Sequence, residues 1–261
     1  MSWKYVTIKK EGRIAIVRFD RGDGVNAMST GLITELTEAA RTFDDDLETS
    51  AVIVTGTNAV FSMGYDLKEP VPDGLGLGEQ RKRNQLGPKL CKAWEEVEPL
   101  TICAVEGWCI GGGVAFAVVF DLRVMGTSAT LYAPEIERGM NMSWQSVPRT
   151  VNLVGTARTK RMFALAEKID AETALDWGLA DKVTLDGAAL EGATQFAQRA
   201  AELPPVPLRM IKQGVNGAAN ATSHAASFMD ADQNLLNRFS EDFEEGVQSF
   251  LEKRPPRYTG R

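Results

Sequence analysis

The sequence predicts an α/β fold, a parallel-stranded core followed by a helical C-terminal region. Three observations predict it. Short β-type apolar runs alternate with segments of helical apolar spacing through the first half of the chain. Two strand-to-helix junctions carry glycine, at residues 62–66 and 111–113. From Pro148 onward nearly every apolar pattern is helical, and no low-complexity linker divides the halves. The 261 residues, 44% hydrophobic and 25% charged, are enough for one large core.

The elements follow in order. Residues 3–8 alternate as a strand, Glu11-Gly12 reads as a turn, and residues 14–19 form a second strand, giving a hairpin. A glycine-bearing loop covers 20–26. After Ser29, Leu32, Ile33, Leu36, Ala39, Ala40 and Phe43 recur at helical spacing. Asp44-Asp45-Asp46 closes that helix as a solvated turn. Residues 51–56 are a buried strand; 70–78, with two prolines and three glycines, predict a mobile surface loop; 80–97 predict a helix. Strands are expected at 101–105 and 121–125, with a short one at 129–132. Helices are expected at 151–154, 157–165, 171–176 and 190–201. Pro204, Pro205 and Pro207 interrupt the series before helices at 208–219 and 228–238 and the segment 241–251.

The totals exclude several classes. A net charge of −6 argues against a general nucleic-acid binder. Cys91, Cys103 and Cys109 include no CxxC and read as reduced core thiols of a reducing compartment. No secretory signal is visible, and the uncharged run 107–120 is shorter than the roughly 20 residues a bilayer requires. The expectation is a cytoplasmic protein with no membrane and no nucleic-acid partner. His224 is the sole histidine, which disfavours a His-rich metal site and a Ser-His-Asp triad. GxGxxG after a strand is absent, which disfavours a dinucleotide.

The chain centres on Glu106-Gly107-Trp108-Cys109-Ile110-Gly111-Gly112-Gly113, leaving a strand and entering an apolar helix. Glycines let a ligand approach the backbone, and the first peptide N–H groups of a helix lack internal partners. Such a corner can hold a phosphate, or an oxyanion that appears during a reaction; it can equally be a plain turn before a core helix. Glu135, between Pro134 and Ile136, has apolar neighbours. Burial would raise its pKa and suit it to carrying a proton.

Six stretches appear in register: Asn26-Ala27-Met28; Phe61-Ser62-Met63-Gly64-Tyr65-Asp66-Leu67-Lys68-Glu69; the glycine corner; Pro134-Glu135-Ile136; Ala174-Leu175-Asp176-Trp177-Gly178-Leu179-Ala180-Asp181-Lys182-Val183; and Glu245-Gly246-Val247-Gln248-Ser249-Phe250-Leu251-Glu252-Lys253-Arg254. Together they resemble the crotonase, or enoyl-CoA hydratase/isomerase, superfamily over essentially the whole chain. The resemblance implies a spiral core of ββα repeats over 1–200 and a helical C-terminal trimerisation region over 201–261. It implies a homotrimer or dimer of trimers. The implied substrate is an acyl-CoA thioester, with coenzyme A carried as part of the substrate and no separate cofactor or metal. The N–H groups of Tyr65 and Gly112 would hold the thioester oxygen during enolate formation, and Glu135 would be the acid/base. Ala27, Met63, Asp66, Leu67, Lys68 and Asn141 would join them in binding acyl-CoA, although Asp66 also reads as a helix cap. Lys253, Arg254 and Arg257 are candidates for the CoA phosphates or are simply solvated.

The chain also departs from that pattern. Hydratases of the family carry a second glutamate where this chain has Ala115. One carboxylate suits double-bond isomerisation, a proton shuttle between two carbons, better than hydration. Asn141, Ser143 and Gln145 stand in a segment that is usually glycine-rich; they read either as groups orienting a water or substrate, or as satisfying a helix start. Tyr65 is larger than the usual alanine. Gly107-Trp108-Cys109 and residues 65–69 also resemble the hydroxycinnamoyl-CoA hydratase-lyase branch, which keeps an aromatic acyl-CoA as an alternative beside a non-catalytic CoA binder. Ser143 replaces the nucleophilic aspartate of the chlorobenzoyl-CoA dehalogenase branch, so dehalogenation is discounted.

Overall fold

The structure, a computed structural model, describes residues 3–70, 72 and 74–261. The chain begins with an antiparallel hairpin, β1 (Val6–Glu11) and β2 (Ile14–Phe19), followed by α1 (Thr30–Arg41). One path then repeats three times. β3 (Ala51–Thr55) and β4 (Val60–Ser62) lead to α2 (Leu77–Asn84) and α3 (Leu86–Glu95). β5 (Leu100–Val105) and β6 (Trp108–Ile110) lead to α4 (Gly112–Ala117). β7 (Leu122–Gly126) and β8 (Thr130–Tyr132) lead through a 3-10 turn, Ile136–Arg138, to α5 (Ser146–Ala164). Next come β9 (Ile169–Asp170), α6 (Ala171–Trp177), β10 (Lys182–Thr184) and α7 (Ala189–Ala201). α8 (Pro205–Asn220), α9 (Ser223–Ser227), α10 (Asp230–Asn237) and α11 (Glu241–Glu252) complete the chain.

In each repeat the first strand joins a six-stranded sheet, β1-β2-β3-β5-β7-β10, and the second a four-stranded sheet, β4-β6-β8-β9. Pairing within the repeats is parallel throughout. This is the expected spiral of ββα turns. Its corners are tight. Gly107 has φ +57°, and a Cβ there would stand 2.1 Å from the Ala59 carbonyl oxygen of the preceding turn.

Both faces of the large sheet are buried at its central strands β3, β5 and β7, which is why these read as apolar runs. Val52, Val54, Cys103, Val105 and Met125 face the inner core. Their alternates Ala51, Ile53, Ile102, Ala104 and Val124 face α7, which meets them with Ala189, Ala193, Ala197 and Ala200. Aromatic side chains fill the inner core, with Phe19 against Phe61 at 5.2 Å and Phe116 against Phe120 at 4.9 Å between ring centroids. The three cysteines are free and buried there.

Several expectations are corrected. The helix expected at 80–97 is two helices broken at Gln85, because Pro88 has no N–H to give the Asn84 carbonyl four residues back. Helix also begins at Leu77, inside the expected loop 70–78; Val71 and Asp73 of that loop lie outside the described residues. The helices expected at 151–154 and 157–165 are the two halves of α5, separated by non-helical Gly155 (φ 79°, ψ 169°), but the first begins earlier, at Ser146. The helical series is interrupted before Pro204 as expected, but α8 begins at Pro205 rather than at 208, since a first helical turn has N–H groups to spare. β4, β6, β9 and β10 are too short for alternation to reveal. Among the described residues no helix is long and apolar enough to cross a membrane.

Candidate active site

The glycine corner is built by backbone. Gly111 (φ +52°) donates its N–H to the Tyr132 carbonyl at 2.8 Å and turns the chain into α4, leaving the Gly112 N–H as the first of the helix with no acceptor. One turn away, residues 63–66 pair with residues 25–28. Met63 N donates to Val25 O (3.1 Å), Met28 N to Gly64 O (2.7 Å) and Asp66 N to Met28 O (3.2 Å). That ladder uses the amides on either side and leaves the Tyr65 N–H without an acceptor among the described residues. The two free amides belong to neighbouring stretches, for a Cβ at Gly64 would lie 3.4 Å from the Gly112 nitrogen. Buried Asn26 holds the stretches in place, its Nδ2 donating to Phe61 O (2.8 Å) and Phe19 O (3.2 Å).

Glu135 follows β8 and points back over the corner. Its Oε1 is so close to Gly111 that a Cβ there would stand 2.5 Å away. Its Oε2 is closed off from solvent and has no hydrogen-bond partner among the described residues. Burial pushes the Glu135 pKa up to about 7, which its own backbone amide and the Arg138 charge offset only in part. The Arg138 guanidinium is engaged elsewhere, with the Pro134 carbonyl (3.0 Å) and over the Phe250 ring at 4.2 Å.

These groups open on a cavity of about 290 Å³, lined by Tyr65, Gly112, Ala115 and Glu135 together with Trp144, Phe243 and Val247. Trp144 is buried with its indole against Gly87 and Gly112, where added Cβ atoms would meet the ring at 1.8 and 2.9 Å. Trp144 (φ 60°) and Gln145 (φ 58°) are both left-handed. Asp230, from far along the chain, and Arg149, from the following helical turn, hold that conformation. Asp230 accepts from Gln145 N (2.6 Å), and Arg149 donates to Trp144 O (3.0 Å), Gln145 O (3.1 Å) and Glu95 (2.9 Å).

Of the residues singled out from sequence, Tyr65, Asp66, Leu67, Gly112 and Glu135 line the cavity. Ala27, Asp66 and Lys68 line a second groove beside Arg21. Asp66 pairs with Arg21 (2.6 Å) and caps the Lys68 N–H (3.0 Å), which together hold its carboxyl below the usual range. Met63 is surface-exposed outside both. Asn141 is tied to α10, accepting from Asn234 and Asn237 (both 3.0 Å). Gln145 serves Arg149 and Asp230, and Ser143 gives its carbonyl to Ser146 Oγ (2.7 Å) while lining the cavity. Arg254 is held by Glu245 (2.6 and 2.7 Å) and Glu252 (2.5 Å). Trp144, Arg149, Asp230, Arg83, Arg238, Phe243 and Val247 were not anticipated. The one available signal was the Gly87-Pro88 pair inside a helical pattern.

The chain thus combines a two-sheet ββα spiral, a buried glycine corner and an enclosed carboxylate in one cavity. The sequence profile of the enoyl-CoA hydratase/isomerase family matches residues 9–261, so the chain belongs to that family, whose members act on CoA thioesters. A short-chain-enoyl-CoA hydratase of Clostridium acetobutylicum is 28% identical over 255 residues, covering 97% of each chain. The crystal structure of an enoyl-CoA hydratase from Mycobacterium avium subsp. paratuberculosis superposes with TM-score 0.88 at 21% identity, over 99% of this chain and all of that one (100%). A carnitinyl-CoA hydratase from Mycobacterium avium gives TM-score 0.86 at 27% identity, with 100% of both chains covered.

Proposed function

We propose that this enzyme forms an enolate from an acyl-CoA thioester and moves a proton between two carbons of the acyl group, with Glu135 as the sole proton carrier. The observation that carries this is one unpartnered, enclosed carboxylate facing two acceptor-free backbone N–H groups. Glu135 takes a proton from the acyl α-carbon. The C–H electron pair passes into the thioester carbonyl, and the oxygen that gains charge is held by Tyr65 N–H and Gly112 N–H. Donors so placed are worth about 3–4 kcal/mol each. The protonated Glu135 then returns the proton to the γ-carbon, converting a 3-enoyl into a 2-enoyl thioester. Ala115 brings no second carboxylate to the cavity to activate water, and Asp66 and Glu69 are engaged by Arg21 and Thr30. The groove at Ala27, Asp66 and Lys68 would take the CoA portion. The exposed Met210, Ile211, Phe228 and Phe239 of the C-terminal helices suit burial in a homotrimer, which sedimentation equilibrium tests.

The test is a 3-enoyl-CoA incubated in deuterated water. Isomerisation with deuterium entering the α- and γ-positions, abolished by Glu135→Gln, is expected. Absence of both isomerisation and exchange in the wild type overturns the enolate. The relatives named as hydratases support a second reading, hydration; water addition to a 2-enoyl-CoA outrunning isomerisation would replace the shuttle with it.

A further inference from the structure

Two arginines at one end of the cavity have no role in the chemistry above. Arg83 of α2 and Arg238, which follows α10, line the cavity together with Tyr65 and Asn84, and the same four residues line a small extension of it. Arg83 Nη2 and Arg238 Nε are both closed off from solvent and have no hydrogen-bond partner among the described residues. Guanidinium N–H groups are rarely left this way, because a buried donor without an acceptor costs free energy. Arg238 has no carboxylate within ion-pair distance among the described residues; its Nη2 reaches only the Asn84 amide oxygen at 3.3 Å. Arg83 stands 4.0 Å from Glu69, whose Oε2 already accepts from Thr30 N (2.9 Å) and Thr30 Oγ1 (2.8 Å). Two guanidinium groups against one occupied carboxylate leave this end of the cavity positive. The same cavity is also lined by apolar side chains, Met140, Met142, Trp144, Phe243 and Val247.

Resting on the acyl-CoA reading, we infer that the Arg83–Arg238 pair receives a carboxylate at the far end of the acyl group, so that the preferred substrates are dicarboxylyl-CoA thioesters. The carboxylate would supply the acceptors both arginines lack, and the apolar side chains would hold the methylenes between it and the thioester. Planar guanidinium donors suit that geometry better than a lysine would. The other anions an acyl-CoA offers are the CoA phosphates, and the experiment separates the two sources.

Binding is measured by calorimetry with saturated, unreactive thioesters of matched length: adipyl-CoA against hexanoyl-CoA, glutaryl-CoA against valeryl-CoA, with free CoA as reference. The wild type is expected to bind the dicarboxylyl member of a pair at least roughly tenfold more tightly, the scale of one charge-assisted hydrogen bond. Arg238→Met and Arg83→Met are each expected to remove that preference while hexanoyl-CoA binding stays unchanged, which also shows that the variants fold. Equal wild-type affinity within both pairs overturns the inference and leaves the enolate reading standing. Loss of free CoA binding in either variant, matching the loss for adipyl-CoA, overturns it in favour of phosphate contacts. Failure of every thioester to bind the wild type overturns the acyl-CoA reading and the inference with it.

Discussion

Two parts of the cavity lining are built in different ways. The corner side is backbone and one carboxylate: the amides of Tyr65 and Gly112, held by parallel sheet pairing, with Glu135 folded over Gly111. The rest of the lining, the wall, is side chains on helices and a left-handed turn: Trp144 pinned by Asp230 and Arg149, with Phe243 and Val247 from α11. Backbone amides fixed by a sheet keep their position whatever the side chains are. A wall of side chains can change shape and chemistry without disturbing them. The corner therefore suits a reaction step shared by many substrates, and the wall suits the choice among substrates.

The largest expected effect tests the corner. Glu135→Gln keeps the shape and removes the proton carrier, so α-proton exchange should fall about 10³-fold, the range typical of a general acid–base group. Affinity for an unreactive acyl-CoA should hold. A loss of less than tenfold would give the proton transfer to another group. In the wild type the base form appears as Glu135 loses its proton, so kcat/KM should rise with pH to a plateau, with the midpoint near its pKa of about 7. A midpoint in the ordinary carboxylate range would contradict the burial that sets it.

The same substitution carries a stability effect of the next size. An unfolded glutamate titrates near pH 4.3, whereas the folded Glu135 titrates near 7. Between those values the folded chain keeps the proton and the unfolded chain does not, so stability falls as pH rises through the window. Above it the full cost of the buried charge, about 4 kcal/mol, is present, and glutamine removes it. Glu135→Gln should thus be more stable than wild type at about pH 8 and equal to it at about pH 4, by denaturant titration. No difference at the higher pH would mean that Glu135 is solvated.

The corner was legible in the sequence and the wall was not, for the same physical reason. Asn26, residues 62–66, the three glycines and Glu135 act through backbone conformation and close approach, which demand particular small or capping residues at particular places. Trp144 acts through a left-handed turn that no local rule assigns to tryptophan, and it is held by Asp230, 85 positions from Gln145. Arg83 and Arg238 come together only when α2 meets the end of α10. β4 and β6 were hidden for another reason, since three residues are too few to show a period.

Gly87→Ala breaks the wall from its supporting side. The added Cβ would fall 1.8 Å from the Trp144 ring, and an indole flanked by Gly112 cannot give way. The ring must leave its slot, at a cost of about 2 kcal/mol for an overpacked core site. The acyl-CoA KM should rise while kcat keeps most of its value. An equal fall in kcat would show that Trp144 supports the Gly112 amide as well as the wall.

The smallest effect asks whether wall and corner unfold together. Ser29 caps α1, its Oγ accepting from Leu32 N at 3.3 Å, and α1 lies on the inner core. Ser240 caps α11, its Oγ accepting from Phe243 N at 3.1 Å, and Phe243 lines the cavity. Alanine at either position should cost about 1 kcal/mol. Ser29→Ala should lower the global Tm, because α1 is lost only with the core. α11 buries only Gly246 and Ser249 fully. Ser240→Ala should therefore leave Tm nearly unchanged and speed hydrogen exchange of the α11 amides roughly fivefold, the ratio 1 kcal/mol represents in a local opening. An equal Tm drop in both variants would show one cooperative unit, and the wall would then be as fixed as the corner.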